Sequence, residues 1–172
     1  MSYLQLPDKG GFCLSRNQND DISLDELDIK LIQYLQKDGR IPYTELADIL
    51  ETTSGTVRNR VQRLKDHQLL KVVGVVNPFK TGLPTVAMLG VKVQLNKFDE
   101  VIHKLSGIPE VRFVASSTGR YDLFVEVITT TNKNLYDIIK NEFGKIDGIQ
   151  STETHMFIEI HKQSYDWGVG GE

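Results

Sequence analysis

The residues of this chain that are best suited to chemistry form a basic segment between Thr52 and Lys80. The segment holds six bases and a single acid, Asp66, although the whole 172-residue chain carries a net charge of −3. From Thr81 onward, acids outnumber bases by 12 to 9. Positive charge concentrated on one short segment is typical of an element that contacts phosphate groups, with a solvated helix face as the alternative. The bases are Arg58, Arg60, Arg63, Lys65, Lys71 and Lys80.

A helix must position most of these bases. Thr53 can cap its N-terminus, and Val57, Val61 and Leu64 recur at the spacing of a buried helical stripe. The pattern predicts a helix from Thr53 to about Gln68. Two shorter helical patterns upstream and a tight turn before it indicate a helix-turn-helix, whose last helix enters the major groove of DNA.

In that geometry the N-terminal part of the third helix faces base edges. Asn59 could pair with adenine and Arg58 with guanine, each pair giving about 1–3 kcal/mol of discrimination. For Arg60 an ion pair with an acid of the first helix is an equally good expectation, and for Asn59 the alternative is simple exposure to solvent. The candidate base contacts are Ser54, Thr56, Arg58 and Asn59, next to the capping Thr53. The candidate phosphate contacts are Thr44, Arg60, Arg63 and Lys65.

The elements that hold this helix lie in a predicted domain over residues 23–76. Ser23-Leu24-Asp25-Glu26 has the pattern of a capping box and predicts that the first helix begins at Ser23. The second helix is expected over residues 43–50. Residues 71–76 read as a short strand, which would make the helix-turn-helix domain winged. Residues 1–22 are expected to be an N-terminal tail, and residues 77–84 a linker.

The remaining pattern predicts an α+β domain over residues 85–162, followed by a C-terminal tail over residues 163–172. Its order β-α-β-β-α-β is that of the ferredoxin-like fold, an antiparallel sheet with both helices on one face. The strands are expected over residues 85–95, 111–118, 121–129 and 150–162, and the helices over residues 98–105 and 132–143.

One face of this sheet is expected to lack a cover from its own helices. On the last strand Thr154, Met156, Ile158 and Ile160 should lie under the helices, and the alternate residues should face away from them. An uncovered sheet face calls for a partner sheet, which predicts a homodimer.

Glu153, His155, Glu159 and His161 alternate along the same strand and could suggest a metal site. A partner-facing or solvated strand face explains them better, and we expect no bound metal. The sequence shows no nucleophilic triad, phosphate-binding glycine loop or CxxC pair. We therefore expect neither an enzyme nor a cofactor.

The compartment is predicted from what the sequence lacks. The longest apolar runs, such as residues 72–76 and 86–91, fall far short of the roughly 20 residues that span a bilayer. Residues 1–21 have no apolar secretion signal, and Cys13 is a lone cysteine. These features favour a cytoplasmic protein with no membrane partner.

With its motifs in this order, the chain resembles the leucine-responsive/asparagine-synthesis (Lrp/AsnC, feast/famine) family of transcription regulators over about residues 24–160. Each motif is weak alone, but their order and spacing across two domains is specific. The motifs are Leu24-Asp25-x-x-Asp28, Asp38-Gly39-Arg40, Glu45-Leu46-Ala47, Thr56-Val57-x-x-Arg60-Val61-x-x-Leu64, Gly119-x-x-Asp122, and Gly148-Ile149 before Thr152-x-Thr154.

The resemblance implies a second site, for an amino acid or similar metabolite bound between adjacent dimers near the Gly-x-x-Asp loop. Asp122 would hold an ammonium group and the amides around Gly119 a carboxylate. The alternatives are a turn-stabilising aspartate and a left-handed turn glycine. The candidate effector residues are Thr118, Gly119, Tyr121, Asp122, Asn132, Thr152, Thr154 and His155.

The resemblance also implies dimers that assemble to tetramers or octamers and a pseudo-palindromic double-stranded operator. Two alternatives remain open: a sirohaem decarboxylase-like enzyme on the same fold, and an effector-sensing module without DNA binding. The chain departs from the family at Glu51 and Gln68, where glycine is usual, and at Thr52, where an apolar residue is usual. If the first two positions need positive φ, each costs on the order of 1 kcal/mol.

Overall fold

The computed structural model describes residues 22–165 and 168–169. They fall into two compact units. The first, here called the helical unit, comprises residues 22–75 with the described residues after 161, and the second, the sheet unit, comprises residues 76–161. Within this described part of the chain, no helix has the length and apolar character needed to cross a membrane.

The helical unit contains the three predicted helices, α1 (Glu26–Lys37), α2 (Tyr43–Ile49) and α3 (Ser54–Asp66). Each helix turns an apolar stripe inward, and the stripes form one core because helices of this length are stable mainly through such packing. The buried members of this core are Leu31, Leu35, Leu46, Ala47, Val57 and Val61.

The N-cap of helix α1 lies two residues later than predicted. Its N-cap is Asp25, whose carboxylate accepts a 2.9 Å hydrogen bond from the Asp28 amide. The Asp28 carboxylate in turn accepts from the Asp25 amide at 3.2 Å. The capping box is therefore Asp25-x-x-Asp28, and the prediction based on Ser23 and Glu26 was wrong. The prediction that Thr53 caps α3 is confirmed, since its hydroxyl accepts from the Thr56 amide at 3.1 Å.

Helices α2 and α3 both end in the same backbone motif. Beyond α3 the Leu69 amide donates to Leu64 and the Gln68 amide to Lys65, both at 2.9 Å, with Gln68 at φ 56°. Beyond α2 the residue in the corresponding position is Glu51, at φ 50°. This is the Schellman motif, whose left-handed residue is usually glycine. The two positions suspected of needing positive φ do need it.

Residues 71–76 do not form the predicted strand of a wing, although they lie within the described residues. Val73, Val75 and Val76 are 60%, 58% and 67% exposed. A strand is stable only when a neighbouring strand completes its hydrogen bonds, and the sheet of this structure does not include these residues. The β-branched composition alone was misleading.

The sheet unit has the order β1 (Thr85–Val93), α4 (Phe98–Ser106), β2 (Val111–Ser116), β3 (Leu123–Thr129), α5 (Asn132–Asn141) and β4 (Ile149–Met156). Short 3-10 turns occupy Pro78–Lys80, Leu95–Lys97 and Phe143–Lys145. The strands lie in the order β2-β3-β1-β4, and every pair is antiparallel. The predicted α+β class and the ferredoxin-like order of elements along the chain, β-α-β-β-α-β, are confirmed.

The two faces of the sheet differ in composition. Ala87, Leu89 and Val91 of β1 are fully buried with their partners on β3 in a core that also takes apolar residues of α4 and α5. The alternate residues, such as Met88 on β1 and Phe124 and Glu126 on β3, lie on the opposite face, here called the open face. The prediction that the helices cover one face is confirmed.

Strand β4 ends at Met156, well before the predicted end at residue 162. Its partner β1 begins at Thr85, and the Phe157 amide makes the last bond of the ladder, 2.9 Å to the carbonyl of Val86. Beyond that point the chain has no strand to pair with. Ile158 is consequently 97% exposed, so the expectation that it lies under the helices was wrong.

Candidate nucleic-acid interface

Helix α3 is held by one stripe and presents the opposite stripe to solvent. Val57, Val61 and Leu64 are almost fully buried. Arg58 and Asn59, by contrast, are exposed. An exposed amide and an exposed guanidinium next to each other near the start of such a helix are the groups that read base edges in a major groove.

Hydroxyl groups on α2 and at the start of α3 are also accessible. Thr44 on α2 and Ser54 on α3 are exposed. The Thr53 and Thr56 hydroxyls lie 2.9 Å apart and share a hydrogen bond at the helix N-terminus. Thr56 is thus partly engaged by the cap. The four residues predicted to contact bases all belong to the first two turns of α3.

Arg60 and Arg63 are not free on this surface. Arg60 donates to both Asp28 carboxylate oxygens at 3.2 Å and also bonds to Asp25. Arg63 bonds to Asp28 as well. The ion pair with the first helix that was the alternative for Arg60 is present, and it extends to Arg63. Among the described residues, Arg58 and Lys65 form no ion pair. They are therefore the α3 cations that can bind a phosphate without first breaking an ion pair.

The ion cluster formed by Asp25, Asp28, Arg60 and Arg63 has one fully buried member. The Asp28 side chain is 0% exposed, whereas those of Arg60 and Arg63 are 30% and 40% exposed. The Asp25 carboxylate has a lowered pKa because it accepts from the Asp28 amide and pairs with Arg60. The pKa of Arg60 is raised, mainly by its bond to Asp25. The sequence analysis missed Asp28 as a site residue, although it belongs to the motif at the start of α1.

The loop between β2 and β3 contains the Gly-x-x-Asp motif. Gly119 has φ 117°, a conformation that favours glycine. The Asp122 carboxylate accepts from the Val93 amide at 2.9 Å and from Lys92 at 3.4 Å. The Val93 amide, followed by Lys92, lowers the pKa of Asp122. Asp122 therefore stabilises the junction of β1 and β3 through bonds to β1, rather than the turn that contains it.

Tyr121 spans the open face from this loop to β4. Its hydroxyl donates to the Glu153 carboxylate, which also pairs with Arg120 at 3.0 Å. The Tyr121 bond lowers the pKa of Glu153, and the same bond raises the pKa of Tyr121. The Tyr121 ring also meets Phe124 edge to face, with centroids 5.9 Å apart. The sequence analysis considered Glu153 only as a metal ligand, and rejected it. Its contact with Tyr121 could not be predicted, because this contact depends on strand register.

The predicted effector residues do not all lie together in one chain. Asn132 accepts from the Thr85 hydroxyl at 3.1 Å, at the start of β1, whereas Asp122 lies at its end near Val93. Eight residues of strand separate these points by about 26 Å, at about 3.3 Å per residue. Thr152 and Thr154 pair with helix-side residues of β1, whereas His155 pairs with Met88 of the open face.

A shallow groove of about 630 Å³ lies at the Val93 end of β1, where Asp122 also lines it. Its lining includes the polar residues Lys92, Gln94, Asn96 and Gln150 together with Val93 and Leu95. In the described residues, no group of three or more histidine, cysteine, aspartate or glutamate side chains is arranged to hold a metal ion.

Two family models match this chain. A model of the AsnC-type helix-turn-helix domain covers residues 24–65, and a model of the Lrp/AsnC ligand binding domain covers residues 86–167. The helix-turn-helix match lies within the helical unit. The ligand-binding match lies mainly within the sheet unit.

Proteins of similar sequence include an uncharacterised HTH-type transcriptional regulator of Pyrococcus furiosus. It is 40% identical over 143 residues, which cover 83% of this chain and 97% of the relative. The regulatory protein AsnC of Haemophilus influenzae is 33% identical over 77% of this chain and 89% of its own length. Among solved structures, AsnC of E. coli matches with a TM-score of 0.73 and 25% identity, covering 83% of this chain and 97% of that one.

Proposed function

This chain belongs to the Lrp/AsnC family of DNA-binding transcriptional regulators, and on that basis we propose that it reads a pseudo-palindromic operator as a homodimer and responds to an amino acid or a related metabolite. Its relatives are regulators rather than enzymes. The observation that carries the proposal is the outward stripe of α3, on which Arg58 and Asn59 are exposed.

Base recognition is assigned to the first turns of α3. Asn59 offers a donor and an acceptor to adenine, and Arg58 offers two donors to guanine. Ser54 and Thr56 are short enough to let the helix approach the bases. Lys65 and Thr44 contact phosphates. Arg60 and Arg63 contribute to the positive potential while their guanidinium groups stay bonded to α1.

The proposed dimer forms through the open face of the sheet. Met88, Phe113, Phe124 and Ile128 give this face an apolar centre, and the helices of the same subunit cover only the other face. A second copy supplies a face of the same composition. A twofold axis brings the same patch of both copies into contact, so that the interface is self-complementary. Two helical units carried by such a dimer would read half-sites one DNA turn apart, roughly 34–36 Å, or a multiple of it.

The effector site is proposed to lie between subunits. The ligand-binding model covers the sheet unit, and the candidate residues are spread over both ends and both faces of one sheet. A site that uses Gly119, Tyr121 and Asn132 together therefore needs residues from more than one subunit. Since Asp122 is bonded to Val93 and Lys92, a ligand ammonium group would have to share that carboxylate. Assembly beyond the dimer, to tetramers or octamers, would create such sites.

The test is a selection of bound duplexes from a random pool, repeated with a panel of free amino acids. The expected result is a single enriched motif with inverted symmetry, whose recovery changes with one or a few amino acids. Asn59→Ala should lose the preference at one position of each half-site, whereas the exposed Asn134→Ala, on the sheet unit, should select the same motif. A selection that enriches no motif from the wild-type protein would refute operator recognition.

A further inference from the structure

Asp28 has an unusual position for a charged residue. It lies on α1, its side chain is 0% exposed, and it is bonded to both Arg60 and Arg63 on α3. A buried carboxylate is unfavourable unless it is paired and hydrogen bonded. Here two guanidinium groups and the Asp25 amide satisfy it.

The two arginines are one helical turn apart on α3. Two bonds from a single buried carboxylate to Arg60 and Arg63 constrain the rotation of the helix about its own axis. The apolar stripe of Val57, Val61 and Leu64 does not constrain rotation in the same way, because hydrophobic burial has no preferred direction. Hydrogen-bonded charge pairs, in contrast, depend strongly on geometry.

Small rotations of α3 matter for base recognition. Side-chain atoms at the surface of a helix lie about 5–6 Å from its axis, so a rotation of about 20° moves them by about 2 Å. Hydrogen bonds to a base edge tolerate only a few tenths of an ångström, because their donor–acceptor distances span about 2.7–3.2 Å. Phosphate contacts by long flexible cations are much less sensitive.

We propose that Asp28 is a positioning residue for DNA recognition, which sets the rotation of α3 through Arg60 and Arg63 and thereby the sequence specificity of the protein. Asp28 cannot touch DNA itself, since it is fully buried. Its role is therefore separable from direct contact. This inference rests on the proposed recognition of an operator.

The experiment compares the affinity of the full-length protein for its selected operator with that for an unrelated duplex of equal length, at one salt concentration. Asp28→Asn keeps the shape of the side chain and removes its charge. We expect operator affinity to fall at least about tenfold, because each lost bidentate base contact alone accounts for about that factor. Affinity for the unrelated duplex should stay equal or rise, because the protein becomes more positive.

Glu26→Gln is the matched control. It makes the same change of charge on the same helix, but Glu26 is largely exposed and pairs with Lys30 at i+4. The ratio of the two affinities should not change. Should Asp28→Asn unfold, Asp25→Ser keeps a capping hydroxyl and removes one bond to Arg60. It should lower the ratio to a smaller extent, about threefold, with circular dichroism confirming the fold.

The outcomes separate the two proposals. A wild-type protein that prefers its operator, with folded Asp28→Asn and Asp25→Ser variants that prefer it equally, overturns the positioning role and leaves operator recognition intact. Equal losses on both duplexes in a folded variant also overturn it, since they indicate a general structural defect. A wild-type protein that binds every duplex equally overturns operator recognition itself, and the positioning role with it.

Discussion

The ring of Tyr121 lies directly over the backbone of Gly90. A Cβ atom on Gly90 would come within 2.5 Å of Cδ2 of Tyr121, closer than any real contact. This close approach lets the tyrosine hydroxyl reach Glu153, the residue opposite Gly90 in the ladder between β1 and β4. A residue of the β2–β3 loop thus connects to two strands on the open face only because strand β1 has no side chain at this point.

Gly90→Ala should displace the Tyr121 ring and break its bond to Glu153. Adding a methyl group to a closely packed site typically costs about 1–3 kcal/mol of unfolding free energy. We expect a loss in this range in chemical denaturation. Because the ring lies on the open face, association of the purified protein in sedimentation should also weaken.

Gly144→Ala serves as the control in the same unit. A Cβ atom there would lie 3.6 Å from the carbonyl oxygen of Ile139, an ordinary contact. Its effect on unfolding and on sedimentation should be small. If Gly90→Ala is as stable and associates as strongly as the wild type, the ring does not require a glycine beneath it.

Gln68→Gly should stabilise the protein. Gln68 holds φ 56° at the end of α3, a conformation that costs a residue with a side chain about 1–2 kcal/mol. Glycine removes this cost but gives up about 0.4–1 kcal/mol through a more flexible unfolded chain. The net gain should be about 0.5–1 kcal/mol in the unfolding free energy.

Gln68→Ala separates backbone strain from loss of the side chain, since alanine keeps the unfavourable φ. It should give no gain. The same comparison at Glu51, with glycine and alanine, should repeat the pattern at the end of α2, where φ is 50°. Equal stability of the glycine and alanine variants would show that these positions store no strain.

Most elements of the fold could be predicted because apolar spacing reports burial locally. The stripe of Val57, Val61 and Leu64 located α3 within about two residues. The start of α1 was misplaced because Ser23 and Asp25 each begin a capping pattern. The sequence alone does not choose between the two. Asp25 and Asp28 also bond to Arg60, 35 and 32 residues away, and such contacts are invisible to local reasoning.

The remaining errors concern partners that are distant in sequence. Residues 71–76 have the composition of a strand, but a strand exists only where another strand lies beside it. In the candidate site, helical spacing predicted the exposure of Arg58 and Asn59. It did not predict the ion pair of Arg63 with Asp28. The approach of Glu153 to Tyr121 needed the register of β1 with β4, which no motif specifies.

Glu126 should make the stability of the sheet unit depend on pH. It lies on the open face between Met88 of β1 and Phe113 of β2, with Phe124 and Ile128 next to it along β3. Burial among these apolar neighbours raises the pKa of Glu126. The folded state therefore binds a proton more tightly than the unfolded state does. Stability is highest below the unfolded value, about 4.3 for glutamate, and falls as the pH rises through the raised folded value.

Glu126→Gln should remove this pH dependence. The variant should be more stable than the wild type at pH 7 to 8, with the difference disappearing near pH 4. Denaturant titrations across this range measure it. Glu142→Gln, at an exposed position at the end of α5, is the control. Its difference in unfolding free energy between acidic and neutral pH should equal that of the wild type. A Glu126→Gln variant that parallels the wild type at every pH would contradict the assignment.

Arg58 and Lys65 should account for much of the salt dependence of DNA binding that α3 contributes. Both are exposed, and among the described residues neither has an ion pair, whereas Arg60 and Arg63 are bonded to Asp28. Each phosphate neutralised on a duplex adds about 0.9 to the magnitude of the slope of log affinity against log salt. Lys65→Ala in a dimer that places both α3 helices on DNA should therefore reduce the slope by about 1.8.

Arg58→Ala should reduce the slope less and mainly weaken binding to the selected operator, since its guanidinium is assigned to a base. Lys30→Ala, which removes an equal charge from a pair with Glu26 on α1, should leave the slope unchanged. Filter binding at four or more salt concentrations measures these slopes. A Lys65→Ala variant with the slope of the wild type would show that Lys65 does not contact phosphate.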